Sequence, residues 1–345
     1  MLINLLSPLV MYGWLVILLL NGGYHWLKLR SKPARRDLIM FSTHVLIMIN
    51  LWPPLWMLPT SSPRALSGHQ PSVSIMTWNV QRLGELAKHH RRRDIQKRTQ
   101  CATHAIQEIE RSTGRDLEVF AFQEVSNRRL QRLQSLLSLQ CQFISYHPTQ
   151  RTVAAGLGLC VKAKGTWKIN YVRKIKLDER GSWRALFAEL SMRDDPSINL
   201  NLINLHFLPH GIKPQELRGV LTSPRTAWRL LKDIRDTSSS QQTQASRLLE
   251  VIEDYRDPTL LVGDFNAPPG VGAHPLLASD WVDVWAQVGR GLRSTRQFGG
   301  LIPLRVDYIY ARRGVLSPHF AYIGGSELYQ CSDHLPVIST VSLSQ

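Results

Sequence analysis

Eight polar side chains close or open short apolar runs in this sequence, and their types suit one kind of chemistry. Asn79 ends an alternating run that begins at Val73, and Glu124 follows the apolar run 117–122. His206 closes 198–206, Asp264 and Asn266 follow 259–263, Asp307 sits in 306–310, and Asp333-His334 precede 336–341. Carboxylates with an amide carbonyl are hard oxygen ligands, suited to Mg²⁺ or Mn²⁺ shared with a phosphate. Histidines among carboxylates move protons near neutral pH. Together these are the parts needed to hydrolyse a phosphoester. Taken singly they are ordinary: Gly263-Asp264-Phe265-Asn266 reads as a turn, Gln123-Glu124 as a helix start, His206 as a packed histidine and Ser332-Asp333 as a cap. The recurrence at strand ends is what points to a shared site.

The elements that must position these residues alternate between strands and helices. Val73, Ile75, Thr77 and Asn79 alternate with Ser74, Met76, Trp78 and Val80, a period-2 strand signal. Ile95, Ala102, Ile106 and Ile109 recur at helical spacing before a Thr113-Gly114 stop. Further strands are expected at 141–147, 153–161, 183–190, 198–206, 259–263, 306–310 and 336–341, and a helix at 244–255. The Ser- and Gln-rich stretch 237–243 is low in complexity and reads as an exposed loop. Many strands with few helices favour packed sheets flanked by helices in one domain of about 270 residues.

Six segments occur in a particular order: Thr77-Trp78-Asn79-Val80, Phe122-Gln123-Glu124, Asn204-Leu205-His206, Gly263-Asp264-Phe265-Asn266, Val306-Asp307-Tyr308-Ile309 and Ser332-Asp333-His334-Leu335-Pro336-Val337. In order and character they resemble the endonuclease/exonuclease/phosphatase superfamily, metal-dependent phosphohydrolases that include pancreatic-type deoxyribonucleases, neutral sphingomyelinases and inositol polyphosphate phosphatases. The resemblance covers about residues 73 to 342. It implies an α/β (α+β) fold, a four-layer sandwich of two packed β-sheets between helices.

The resemblance also implies roles. Glu124 would be the main ligand of a Mg²⁺ or Mn²⁺ ion, with Asn79 and Asp333 completing or orienting the metal site. His334 would take the proton of the attacking water, held in its tautomer by Asp307. Asp264 would position the nucleophile, Asn266 would hydrogen-bond the phosphoryl oxygens, and His206 would bind the phosphate and stabilise its developing charge. Arg184, in Ser182-Trp183-Arg184-Ala185, stands where some members carry a phosphate-contacting arginine. Apurinic-site repair endonucleases have a tyrosine at the His206 position, so the histidine brings this chain nearer the deoxyribonuclease, sphingomyelinase and phosphatase branches. Leu208-Pro209-His210-Gly211 and the insert to about Ala245 match no family motif.

Ahead of this domain the composition changes. No Lys, Arg, Asp or Glu precedes Lys28, and a second uncharged stretch runs from 38 to 63. Each is long enough to cross a bilayer core of roughly 30 Å, so two transmembrane segments are expected at about 5–27 and 38–58. A signal peptide fits the first poorly, lacking a basic start and a small-residue cleavage site. For the second, an interfacial or re-entrant helix stays open because Pro53 and Pro54 interrupt it. Lys28, Arg30, Lys32, Arg35 and Arg36 between them, offset by Asp37, favour a cytoplasmic loop. That hairpin, over 1–58, would leave the linker 59–72 and the catalytic domain 73–345 outside the cytoplasm, at a plasma or inner membrane.

The whole chain of 345 residues carries 42 Lys plus Arg against 26 Asp plus Glu, a formal +16. With 43% hydrophobic residues it is no disordered polar chain. The charge suits an anionic partner, either nucleic acid or phospholipid headgroups. The run from Lys88 to Arg93 is by default a solvated face, and alternatively a phosphate-tracking patch beside the site. Three functions follow: a membrane-anchored, monomeric nuclease-like phosphodiesterase; a phosphodiesterase or phosphatase for lipid headgroups or small phosphate esters; and a catalytically silent domain that binds anions. Cys141 and Cys160 could pair across neighbouring strands in an oxidising compartment, with four free thiols the simpler reading.

Overall fold

The computed structural model describes residues 70–81, 92–146, 155–179, 183–211, 224–255, 257–289, 294–298 and 302–343. The two expected membrane segments, the linker up to residue 69 and the side chains of the basic run 88–93 lie outside these. Among the described residues no helix is long and apolar enough to cross a membrane.

Two mixed six-stranded sheets make the centre of the molecule. The first contains β1 (Ser72–Asn79), β2 (Val119–Ser126), β3 (Leu139–Ser145), β4 (Ala155–Lys162), β13 (Leu316–Ile323) and β14 (Val337–Leu343), in the order β13-β14-β1-β2-β4-β3. The second contains β5 (Trp167–Lys176), β6 (Arg184–Met192), β7 (Asn199–His206), β8 (Thr259–Asp264), β9 (Trp281–Asp283) and β12 (Asp307–Arg312), in the order β5-β6-β7-β8-β12-β9. A small ribbon pairs β10 (Arg296–Phe298) with β11 (Ile302–Leu304). β1 runs parallel to β2, and β7 parallel to β8. Each sheet therefore brings the carboxyl ends of two central strands to one edge.

Side-chain alternation explains the layering. Leu200 and Leu202 of β7, Leu260 and Val262 of β8 and Ile309 of β12 face the first sheet in one core with Ile75, Trp78 and Phe120. Ile203, Leu205, Leu261 and Tyr308 point the other way, into a second core. That outer core is closed by Ala245, Leu248 and Ile252 of α3 (Pro224–Ile252). On the far side of the first sheet lie α1 (Arg92–Thr113), through Ala102, Ala105 and Ile106, and α2 (Asn127–Leu137), through Leu130 and Leu133. This is the expected four-layer sandwich.

Several sequence expectations change in detail. Residues 237–243 are not a loop but part of the interior of α3, which starts at Pro224 rather than at 244. Ser240 and Thr243 donate their hydroxyls back to the carbonyls of Asp236 and Ser239, so their polarity is absorbed within the helix. Four free thiols are also overturned: Cys101–Cys331 and Cys141–Cys160 form disulfides. Cys141 and Cys160 stand directly opposite in the β3–β4 ladder, while Cys101 reaches across 230 positions of sequence. β5 escaped notice because its Lys and Arg residues interrupt the apolar alternation, as suits an edge strand.

Candidate active site

The strand ends assemble the site. Asn79 closes β1, His206 closes β7 and Asp264 closes β8. Within the second sheet Asp264 is the register partner of both His206 and Asp307, so three of the expected residues share one rung. Gly263 makes that rung possible: its φ is 140°, and a Cβ there would run into the Leu205 backbone of β7. Glu124 interrupts β2, where the register to β4 shifts between Phe122 and Val125 and Glu124 takes φ 53°. A bulge with a non-glycine residue in the left-handed region re-aims one side chain at a local energetic cost.

The Asn79 amide links the two sheets at this edge. Asn79 Nδ2 donates to Glu124 Oε1 at 3.2 Å and to Asp264 Oδ2 at 2.9 Å. Its Oδ1 accepts the Gln81 N–H at 3.0 Å, which fixes the orientation of the amide. On Asp264, the Asn266 N–H donates to Oδ1 at 2.8 Å, closing an Asx turn that holds Asn266 at φ 50°. Asn266 Nδ2 then donates to the Phe207 carbonyl at 3.0 Å.

The two histidines flank Asp264. His206 Nε2 lies 3.5 Å and His334 Nε2 3.9 Å from Asp264 Oδ2. His334 Nδ1 is 2.8 Å from Asp307 Oδ2. Asp307 is itself fully buried, and its N–H and that of Val306 both donate to Thr295 Oγ1. Burial alone would push His334 down, but the negative charges of Asp307 and Asp264 prevail and raise it to about 9. Burial pushes Asp307 up while His334 pulls it down; the proton they share belongs on the imidazole, which faces two carboxylates. With Nδ1 given to Asp307, Nε2 is the nitrogen left for a reacting group.

Asp333 follows Ser332, whose hydroxyl donates to the Asn79 carbonyl at 2.7 Å and accepts the His334 N–H at 3.2 Å. One oxygen of Asp333 lies 3.4 Å from Arg296. The other, Oδ1, and Asp307 Oδ1 are buried without a hydrogen-bond partner. Arg184 opens β6 opposite Lys176, one position after Trp183. The Trp183 ring stands edge-on to His206, with centroids 5.7 Å apart.

Two groups of possible ligands thus lie side by side. In one, the Asn79 amide donates to Glu124. Asp264, Asp307 and His334 form a second group, offering ligand atoms within 4.8 Å of one another. In that group His334 Nδ1 and Asp307 already bind each other.

Some residues of the site were not foreseen. Tyr146 Oη accepts the Glu124 N–H at 3.2 Å and lies 2.8 Å from His206 Nδ1, joining the bulge to the histidine. It lies near the end of an expected strand, where an aromatic residue reads as packing rather than as chemistry. Gln123 and Asn204 lie inside quoted segments without a role; Gln123 Nε2 donates to Asn204 Oδ1 at 2.7 Å and to Thr77 Oγ1 at 2.9 Å, a buried polar staple between the sheets.

The model of the Endonuclease/Exonuclease/phosphatase family matches residues 76–334. The chain belongs to that family. Among solved structures it is similar to an endonuclease/exonuclease/phosphatase from Bacteroides vulgatus, at 15% identity and TM-score 0.62, covering 80% of this chain and all of that one. A humanized D. rerio TDP2 aligns at 18% identity and TM-score 0.55, over 79% of this chain and 99% of the other. A mannosyl-6-phosphatase from Bacteroides thetaiotaomicron aligns at 14% and 0.54, over 79% and 100%. These likenesses are of fold. No curated protein matches the chain.

Proposed function

We propose that this chain is a membrane-anchored, divalent-metal-dependent phosphoester hydrolase of the phosphodiesterase or nuclease type, which directs water in line at phosphorus. The observation that carries the reading is the convergence on Asp264: the Asn79 amide, which also holds Glu124, lies on one side, and the two histidines lie within 3.9 Å.

The donor set fits a hard cation. Glu124, Asp333 and Asn79 offer oxygen, no thiol is near, and Asp333 Oδ1 is buried with no hydrogen-bond partner while its other oxygen lies against Arg296. When bound, Mg²⁺ or Mn²⁺ would neutralise charge on the phosphoryl oxygens. Glu124 would be its principal ligand, with Asp333 beside it and Asn79 orienting Glu124 through its amide nitrogen. His334, once neutral as pH rises toward about 9, would keep its Nδ1–H directed to Asp307 and accept a proton from water at Nε2. Asp264 would orient that water, being 3.9 Å from the same nitrogen. His206 and Asn266 would face the phosphoryl oxygens, with His206 steadied by Tyr146. Arg184 would add a phosphate contact near Trp183.

The substrate class stays at phosphoesters of nucleic acid or of lipid headgroups. Both disulfides suit an oxidising, extracytoplasmic compartment, which agrees with the expected N-terminal hairpin. The ligand role is tested on Glu124→Gln by Mn²⁺ titration followed by calorimetry. The expected result is at least roughly tenfold weaker binding and a matching rise in the Mn²⁺ needed for half-maximal turnover. Unchanged affinity would remove Glu124 from the metal site.

A further inference from the structure

The Cys101–Cys331 disulfide joins the middle of α1 to the residue two positions before Asp333. We propose that this cross-link positions the Ser332-Asp333-His334 segment, so that turnover depends on oxidised cysteines; the inference rests on the hydrolase reading above.

The segment runs between a 3₁₀ turn at Ser326–Gln330 and β14, outside any regular ladder that could hold it. Its nearest backbone bonds, from the Cys331 and Ser332 N–H groups to the Leu328 carbonyl, travel with the segment and tie it to nothing else. The other fixed points are all non-covalent. Ser332 donates to the Asn79 carbonyl, the Trp78 indole donates to the His334 carbonyl at 2.9 Å, and the Leu335 N–H donates to the Thr295 carbonyl at 2.7 Å. His334 also forms an isolated bridge with Arg296 and meets Asp307 at 2.8 Å, and Asp333 lies 3.4 Å from Arg296. The disulfide is the covalent anchor, and it enters at the start of the segment from a helix packed on the first sheet through Ala102, Ala105 and Ile106.

The two ends differ in access. Cys331 is wholly buried, while Cys101 is half-buried. Cys141–Cys160 makes a natural contrast, because these residues are already held opposite each other by the β3–β4 ladder. Losing that bond leaves the ladder in place; losing Cys101–Cys331 frees Cys331 and leaves Asp333 and His334 to their non-covalent contacts, which then set how far they shift. A displacement near 1 Å in a reacting group costs on the order of 100-fold in rate.

The test compares the full chain with Cys101→Ser and with the double variant Cys141→Ser/Cys160→Ser. Two readouts are taken: kcat and KM with Mg²⁺, and amide hydrogen exchange of the peptide covering 332–335. Cys101→Ser should lower kcat at least about tenfold with KM within about threefold, and should speed exchange at 332–335 by about tenfold or more. The double variant should hold both readouts within about twofold. Should Cys101→Ser fail to fold, the Cys141→Ser/Cys160→Ser variant, which keeps only Cys101–Cys331, is treated with dithiothreitol in native buffer, which yields two cysteine thiols and the oxidised cyclic disulfide of the reagent, and both readouts are repeated. Unchanged kcat, with or without faster exchange, overturns the proposal, as does an equal loss in the double variant. A wild-type chain without turnover on any phosphoester would instead defeat the hydrolase reading, and the exchange comparison would then decide alone whether the disulfide holds the segment.

Discussion

Tyr146 illustrates how the site is built from residues that do no chemistry themselves. Its hydroxyl accepts the Glu124 N–H and meets His206 Nδ1, so one phenol fixes both the bulge that aims a carboxylate and the His206 ring. Tyr146→Phe keeps the ring and its packing against Trp183 and removes only the oxygen. The loss of a buried hydrogen bond to a working group, about 1–2 kcal/mol, predicts a fall in kcat of roughly tenfold with little change in melting temperature. Steady-state kinetics and a thermal melt on the same preparation check this; an equal drop in both fold and rate would make Tyr146 merely structural. Among the residues, Asn79, Glu124, Asp264, Asp307 and His334 were legible because each interrupts an apolar run with a group too costly to bury without a purpose. Tyr146 and Trp183 were not, since an aromatic residue at a strand end is what packing alone would also select.

At the scale of elements, the site depends on how closely β7 and β8 approach. Gly263 lies opposite Leu205 in their parallel ladder, at a φ that only glycine adopts freely. Gly263→Ala is therefore expected to destabilise the fold by at least about 2 kcal/mol, because the new Cβ meets backbone that cannot rotate away. Urea unfolding measures it, and a variant within about 0.5 kcal/mol of wild type would contradict the tight approach. The strands that carry the site were readable from alternation, β1, β7 and β8 above all. The helix α3 was misread at 237–243 for a physical reason: serine, threonine and glutamine lower helix propensity only slightly, and here their side chains serve the fold. Gln241 Nε2 donates to the Leu208 carbonyl at 2.7 Å, holding the helix to the chain just beyond His206. A contact of that kind leaves no periodic trace in composition.

For the molecule as a whole, the outer core contains a histidine that makes stability sensitive to acid. His274 is stacked on Phe265 and bonded to Tyr310 Oη at 2.7 Å, and burial drives it down to about 4. Between about pH 6.5 and about pH 4 the unfolded chain binds a proton that the native one refuses, so stability is full above the upper value and falls as pH drops toward the lower. The loss should amount to about 2–3 kcal/mol at pH 4.5, and His274→Gln should show a flatter pH dependence even if it is less stable at pH 7. Parallel slopes for the two proteins in urea titrations would refute it. Cys141–Cys160 stood as an open alternative in the sequence, whereas Cys101–Cys331 was hidden, because those two are brought together only by the packing of α1 against the first sheet.

The central claim is that the strand ends form one metal-assisted hydrolytic centre with His334 as its proton acceptor. The most direct measurement is turnover of a phosphoester panel, covering DNA, RNA, sphingomyelin and phosphoinositides, by the wild-type chain and by folded His334→Ala, with Mg²⁺ and with chelator. At least one substrate should be cleaved by the wild type only when Mg²⁺ is present, and His334→Ala should be slower by at least roughly 100-fold. A folded His334→Ala protein that retained near-full rate, or hydrolysis indifferent to chelator, would contradict the account.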